Sequence, residues 1–356
     1  MTLANRAVKH FGLHRLDNVE LRVIADAEDG ILRIEQAELD VVGRLSADPR
    51  WQHKTVTLFV LSDLQPLLHQ LETLGRQPAD ARLQRPEDLL SRPVVNVYDL
   101  GPAATCNVFV NRQAMMAAGY WEDVLSIQGL LAHEHAHPLA ECPHTASLRR
   151  LAIDARLQLH EPWAADPERA LLWSERAQRQ VNVLVTQLFL TGPREVFTNE
   201  IAIATHFDQA LYHLNQQNVH NLTAGLRYRP ALSAQLASVV AEGQLTRVGA
   251  DVLQLIGDLQ AYLPMAMEIA PFRRAGRRAK VRELLKPLYG QVFPQLEPQA
   301  KPLFEALVAA YSRMRETAAP DAVKAMVLNG LELATQALAD YAAALTYTVE
   351  TVDDGR

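Results

Sequence analysis

The sequence predicts an α+β protein, and three observations carry that reading. Thr55-Val-Thr-Leu-Phe-Val-Leu61 is β-branched and aromatic and nearly alternates, as a strand with a buried face does. Trp121 to His137 places Val124, Ile127 and Leu131 at i, i+3 and i+7, the period of a helix, with the acids Glu122 and Asp123 where its first turn would begin. From about Asn215 the chain is rich in Ala, Leu, Gln and Glu and carries no motif with chemistry, which marks an all-helical module. The expected division is a strand-bearing domain at 1–214 and a mainly helical domain at 215–356.

Taken in order, Val19 to Val42 alternates apolar and charged residues in short runs, Val-Glu-Leu-Arg-Val-Ile and then Ile-Leu-Arg-Ile-Glu, and reads as strand or mixed structure. The strand at Thr55 to Leu61 is followed by a polar, proline-containing loop from Gly75 to Asp88. Two further strand candidates come next, Pro93 to Tyr98 and Cys106 to Asn111. The helix at Trp121 to His137 is expected to end or kink at its last residue. Pro138 disfavours helical backbone in the residue before it and lacks an N–H of its own. From about Leu148 onward nearly every periodic segment reads as helix, with no internal repeat. Gly192-Pro193 opens one such helix and puts Glu195 in its first turn.

The 356 residues suffice for a substantial core, and a formal charge of −6 gives no general attraction to nucleic acid or anionic lipid. The basic run Arg273 to Lys286 lacks interleaved aromatics and reads as a solvated helix face. Two cysteines, Cys106 and Cys142, make no disulfide framework and suit a reducing compartment. The N-terminal residues have no apolar signal core, and the most apolar stretch, Val181 to Leu190, is too short for a membrane span. A cytoplasmic protein is expected, with no nucleic-acid or membrane partner. No glycine-rich phosphate loop, nucleophile elbow or Cys-x-x-Cys is present.

Chemistry concentrates at His133-Glu134-His135-Ala136-His137. On a helix, residues four apart share a face one turn from each other, so His133 and His137 can hold one metal ion. Two neutral imidazoles are two of the three protein ligands of an open zinc site, and Glu134 is placed to act as general base on the metal-bound water. His135, about 200° round the helix from both, cannot share that metal and is expected to be packed. Cys142 and His144 become candidate ligands only if the segment is not helical.

His133, Glu134 and His137 resemble the active-site helix of the zincin metallopeptidases. That resemblance implies a zincin-like domain over 1–214, a small sheet plus active-site helices, with zinc as cofactor and a peptide or protein as substrate. In zincins a strand edge binds the substrate, and Cys106 to Asn111 is the segment in the corresponding place. The metzincin extension is absent, since Pro-Leu-Ala-Glu-Cys-Pro-His144 follows His137. The third ligand must come from elsewhere.

Two carboxylates compete for that role. Asn199-Glu200 resembles the Asn-Glu pair of gluzincins, in which the Glu is the third ligand. Winding the segment as one helix also puts Glu200 in an apolar stripe with Val196, Phe197, Ile203, Phe207 and Leu211. A buried carboxylate there needs a partner such as a metal. Glu195-Val-Phe-Thr198-Asn199 resembles another gluzincin pattern, in which the fourth residue after the Glu supports a ligand from outside. Glu200 is preferred, with Glu195 as the alternative; about 7.5 Å apart along the axis and on different sides, they do not bind one metal together. His206, His213, Tyr212 and Tyr228 are candidates to stabilise an oxyanion, and nothing selects among them.

The function these features imply is a zinc-dependent hydrolase of gluzincin type, with Glu134 as base and His133, His137 and Glu200 or Glu195 on the metal. The alternative is a peptidase-derived binding or regulatory module without turnover. The helical C-terminal part would wall a cleft or support a homo-oligomer. A third reading, with His135 and His137 as the metal pair of an amidohydrolase-like barrel, requires a strand in place of the helix.

Overall fold

The structure is a computed structural model, and it describes residues 7–65, 90–98, 105–140, 151–315 and 320–351. The loop at 75–88, Cys142 and His144 lie outside the described residues. The chain is a mixed α/β protein, mainly helical, with a small mixed sheet. It forms two compact units, each discontinuous in sequence: Met1–Cys142 with Thr198–Gln217, and Pro143–Phe197 with Asn218–Arg356. The units are thus drawn differently from a single division at 214/215, because residues 143–197 group with the C-terminal part.

In the first unit, β1 (His10–Leu16) and β2 (Val19–Ala25) form an antiparallel hairpin, with Asp17 at φ 41°, a backbone region that Asp tolerates. Then comes α1 (Ile31–Leu45), after Gly30 at φ 74°. This corrects the reading of Ile-Leu-Arg-Ile-Glu as strand or mixed structure. Ile31, Ile34, Glu38, Val41, Val42 and Leu45 are buried at helical spacing, and the short alternation is only the start of that pattern.

The strand β3 (Thr55–Leu61) runs parallel to β2, and β5 (Thr105–Asn111) runs parallel to β3. Outside them β4 (Val94–Tyr98) pairs antiparallel with β5, giving the order β1-β2-β3-β5-β4. The segment expected as the substrate-binding edge is therefore an interior strand, and β4 holds the edge. Cys106, Val108, Phe109 and Val110 are buried on both faces, a demand that only an interior position meets. On one face Phe59 stacks on Phe109, centroids 4.8 Å apart, in a core with Leu61, Leu64 and Val95. On the other face Leu21, Val23, Leu58 and Val108 line up beneath α1 and α3 (Val124–Ala140), which pack against each other.

Between β5 and α3 lies the short α2 (Arg112–Ala117), capped by Asn111, whose side chain accepts from the Ala114 N–H. Asp123 precedes α3 rather than joining its first turn. Its carboxylate accepts from the Leu125 N–H at 3.1 Å and the Ser126 hydroxyl at 2.7 Å. The helix does not end at His137 but runs through Pro138 to Ala140. Proline leaves the carbonyl four residues back, that of Glu134, without its helical donor, and Asn96 on β4 supplies one: Nδ2 donates to Glu134 O at 2.8 Å.

The second unit is not all-helical. It holds an antiparallel pair, β6 (Leu151–Leu159) and β7 (Ala343–Thr351), in register from Leu151↔Thr351 to Leu159↔Ala343. Each strand alternates along its length, but the partner that completes it is far away in sequence. Helices fill the rest: α4 (Pro167–Val185), α5 (Gly192–Ala202), α6 (Asp208–Gly225), α7 (Arg229–Ala241), α8 (Arg247–Tyr262), α9 (Met265–Arg274), α10 (Arg278–Pro287), α11 (Ala300–Arg313) and α12 (Pro320–Ala339). The helix α5 is bracketed by two π-helical turns, Thr186–Thr191 and Ile203–Phe207. The division between units falls inside α5 and again inside α6, so α5 from Thr198 and α6 up to Gln217 belong to the first unit. Of the basic run, Arg278, Arg282 and Lys286 are exposed on α10. Among the described residues no helix is long and apolar enough to cross a membrane.

Candidate metal centre

Helix α3 sets His133 and His137 one turn apart, with ring centroids 4.7 Å from each other at an interplanar angle of 81°. Glu195 joins them: one ligating atom from each of the three residues lies within 4.8 Å of the others. Glu200, the preferred carboxylate from the sequence, is outside this group. The apolar stripe that favoured Glu200 is also interrupted. The π turn at Ile203–Phe207 contains Thr205 at φ −90°, ψ 20° and His206 at φ 69°, ψ 26°, so no straight apolar stripe joins Glu200 to Phe207 and Leu211. Glu195, Thr198 and Asn199 share one face of α5 at i, i+3 and i+4, while Glu200 lies about 100° further round.

That face also fixes the imidazoles. His133 Nδ1 donates to Asn199 Oδ1 at 2.8 Å, and Thr198 Oγ1 lies 3.3 Å from His137 Nδ1. An amide oxygen only accepts, so the proton of His133 sits on Nδ1 and its Nε2 presents a lone pair. The Thr198 hydroxyl can donate to or accept from Nδ1 of His137, and when it accepts, Nε2 of that ring presents a lone pair as well. Both partners are buried, Thr198 at 0% and Asn199 at 1% exposure, so neither is diverted to solvent. Asn199 was legible as a support for a ligand; Thr198 was not singled out, although its position three after Glu195 carried the signal.

Glu134 is half-buried, with its carboxylate 4.0 Å from His137 Nε2. His135 points elsewhere, as its angular offset requires. It is fully buried, and its Nε2 lies 2.7 Å from Glu38 Oε1 on α1. Its Nδ1 is 3.9 Å from the Cys106 sulfur, which donates to Asn96 Oδ1 at 3.1 Å, and the Trp51 ring lies 5.9 Å away. Burial works against the charge on His135, but the Glu38 carboxylate together with Cys106 outweighs it and pushes the pKa up to about 10. The second oxygen of Glu38 has no hydrogen-bond partner among the described residues. None of Trp51, Glu38 or Asn96 stood out in the sequence.

Three of the four oxyanion candidates, His213, Tyr212 and Tyr228, have side-chain partners. His213 pairs with Asp123 at 2.8 Å, the Tyr212 hydroxyl accepts from Gln216 at 3.0 Å, and the His206 carbonyl accepts from Arg44 at 3.4 Å. Tyr228 is 63% exposed. None of them belongs to the group of three. The helix at 124–140 also removes the barrel reading, which needs strand ends at His135 and His137.

Two imidazoles and one carboxylate could hold a metal ion, and three protein ligands are the number that leaves a coordination position open. Ligands about 2.0–2.2 Å from one zinc stand under about 4.4 Å from each other, a small side-chain adjustment from the separations seen. No protein family, curated protein or solved structure matches the chain.

Proposed function

We propose that the chain is a zinc-dependent hydrolase of gluzincin type, a metallopeptidase that cuts peptide bonds in a peptide or protein substrate. The convergence of His133, His137 and Glu195 within 4.8 Å carries this reading, because three donors from two helices meet beside the Glu of the motif. Zinc, when bound, supplies a Lewis acid that brings the pKa of water toward neutrality and polarises a carbonyl. Glu134 takes the proton of the attacking water on its carboxylate and delivers it to the departing amine nitrogen as the C–N bond breaks. Asn199 and Thr198 engage the Nδ1 atoms of the two rings, which leaves each Nε2 for the metal. The low cysteine content and acidic charge suit a cytoplasmic setting without nucleic-acid or membrane partners.

The test measures metal content and hydrolysis of a peptide library on four variants. Glu134→Gln retains about one zinc per chain and loses at least a hundredfold in turnover, and His133→Ala loses both. Glu195→Ala loses zinc while Glu200→Ala keeps it. Undiminished cleavage by Glu134→Gln overturns the mechanism. Zinc without any cleavage supports the binding-module alternative instead.

A further inference from the structure

The second unit contains a cavity of about 680 Å³ that plays no part in the metal chemistry. Its walls come from α4 and the π turn after it, α8, α11, α12 and β7. Leu188, Leu259, Leu307, Met326 and Leu338 typify the lining. The Tyr311 hydroxyl, polar and buried, is spent on the Leu188 carbonyl, so it adds no free polar group inside. Gly330 leaves space for the Phe189 ring, which a Cβ at that position would strike.

Among the described residues the polar lining besides Tyr311 is Asn329, Arg313 and Arg315, all three exposed, and none of the described lining residues is a carboxylate. Among the described residues neither arginine pairs with an acid. The walls extend along α11 from Leu303 to Arg313, about 15 Å, and along α12 from Ala322 to Leu338, about 24 Å. A volume of this size is that of a small-molecule site. Such a chamber is apolar and long, and the charged residues among its described lining, Arg313 and Arg315, are both positive.

We infer that this cavity binds a single-chain amphipathic anion of the fatty-acid class, hydrocarbon within and carboxylate at Arg313 and Arg315. The apolar walls take up the chain, each buried methylene tightening binding about fourfold. The two guanidiniums select the acid over a neutral or cationic head of the same length. This ligand is separate from the peptide substrate, and the inference does not rest on the hydrolase reading.

The full-length protein is titrated with 11-(dansylamino)undecanoic acid, which brightens in an apolar site, and the probe is displaced with decanoate, dodecanoate, tetradecanoate, dodecanol and dodecyltrimethylammonium, all below micelle formation. The acids displace it with affinity rising about fourfold per methylene. Dodecanol is about tenfold weaker than dodecanoate and the cation weaker still. Arg313→Ala/Arg315→Ala brings dodecanoate down to the level of dodecanol and leaves dodecanol unchanged. Ala310→Trp and Ala334→Trp, on opposite walls, each fill the chamber; whichever keeps the wild-type circular dichroism spectrum abolishes probe binding. Equal displacement by acid and alcohol in the wild type overturns the inference, as does probe binding that survives in a folded filled variant. A concentration-dependent dimer seen by light scattering and removed by the same filling overturns it too, by making a second copy the occupant.

Discussion

Pro138 and Asn96 act as one device although 42 positions separate them. The proline would break α3 at the second histidine of the motif, and the amide of Asn96 restores the bond that the proline deletes. Asn96→Ala therefore removes the donor to the Glu134 carbonyl and costs about 1–3 kcal/mol in chemical denaturation. Pro138→Ala alone is near neutral, and added to Asn96→Ala it returns most of the loss by supplying an N–H. If the two losses simply add, the pairing has been misread. A second buried pair, Glu38 with His135, predicts a different pattern. Glu38→Ala strands a buried imidazole and costs about 3–5 kcal/mol, whereas Glu38→Leu with His135→Leu costs markedly less, measured by the denaturation midpoint. At this scale the histidine motif was plain in the sequence and the offset of His135 placed it correctly in the interior. Its partners were not, because Glu38, Asn96 and Cys106 come from three other elements and none carries a local mark of its contact.

At the scale of elements, α3 is held close to α6. A Cβ on Gly129 would come within 2.6 Å of the Ala210 carbonyl oxygen, closer than atoms tolerate, so the helices meet backbone to backbone there. Gly129→Ala should push α3 away and destabilise the protein by about 1–3 kcal/mol. Since α3 carries both imidazoles, zinc affinity measured by competition with a chromophoric chelator should fall with it. Unchanged affinity in a destabilised variant would show that the histidines move as a block with their partners on α5. That Glu195 rather than Glu200 stands with the two histidines was not legible at this same scale. A helical wheel assumes one uninterrupted period, and the π turns on both sides of α5 change the winding without any composition that announces them. The strands at 55–61 and 106–111 were legible from alternation and β-branching. That the latter lies inside the sheet was not, since order within a sheet depends on which segments pair.

Across the whole molecule, what sequence patterns conveyed was the α+β class, and what they hid was long-range pairing. The strands β6 and β7 close on each other from opposite ends of the second unit, and the alternation of each gave way to its helical neighbourhood. If the proposed zinc binds, its occupancy should register globally: stripping the metal lowers the melting temperature, by the equivalent of about 2.7 kcal/mol when free zinc stood at a hundred times its dissociation constant. A thermal shift unaffected by chelation would argue against a structural hold by the ion. The course of α5 through both compact units has a further outcome during synthesis. His137 leaves the ribosome 58 residues ahead of Glu195, an interval of about 3–12 s at about 5–20 residues per second. Over that interval the nascent chain displays two bare imidazoles without their acid or the Asn199 and Thr198 braces. On the proposed reading, loading of the ion belongs to the finished polypeptide, and an amino-terminal fragment ending at 142, motif intact, should capture zinc far more weakly than the full-length protein.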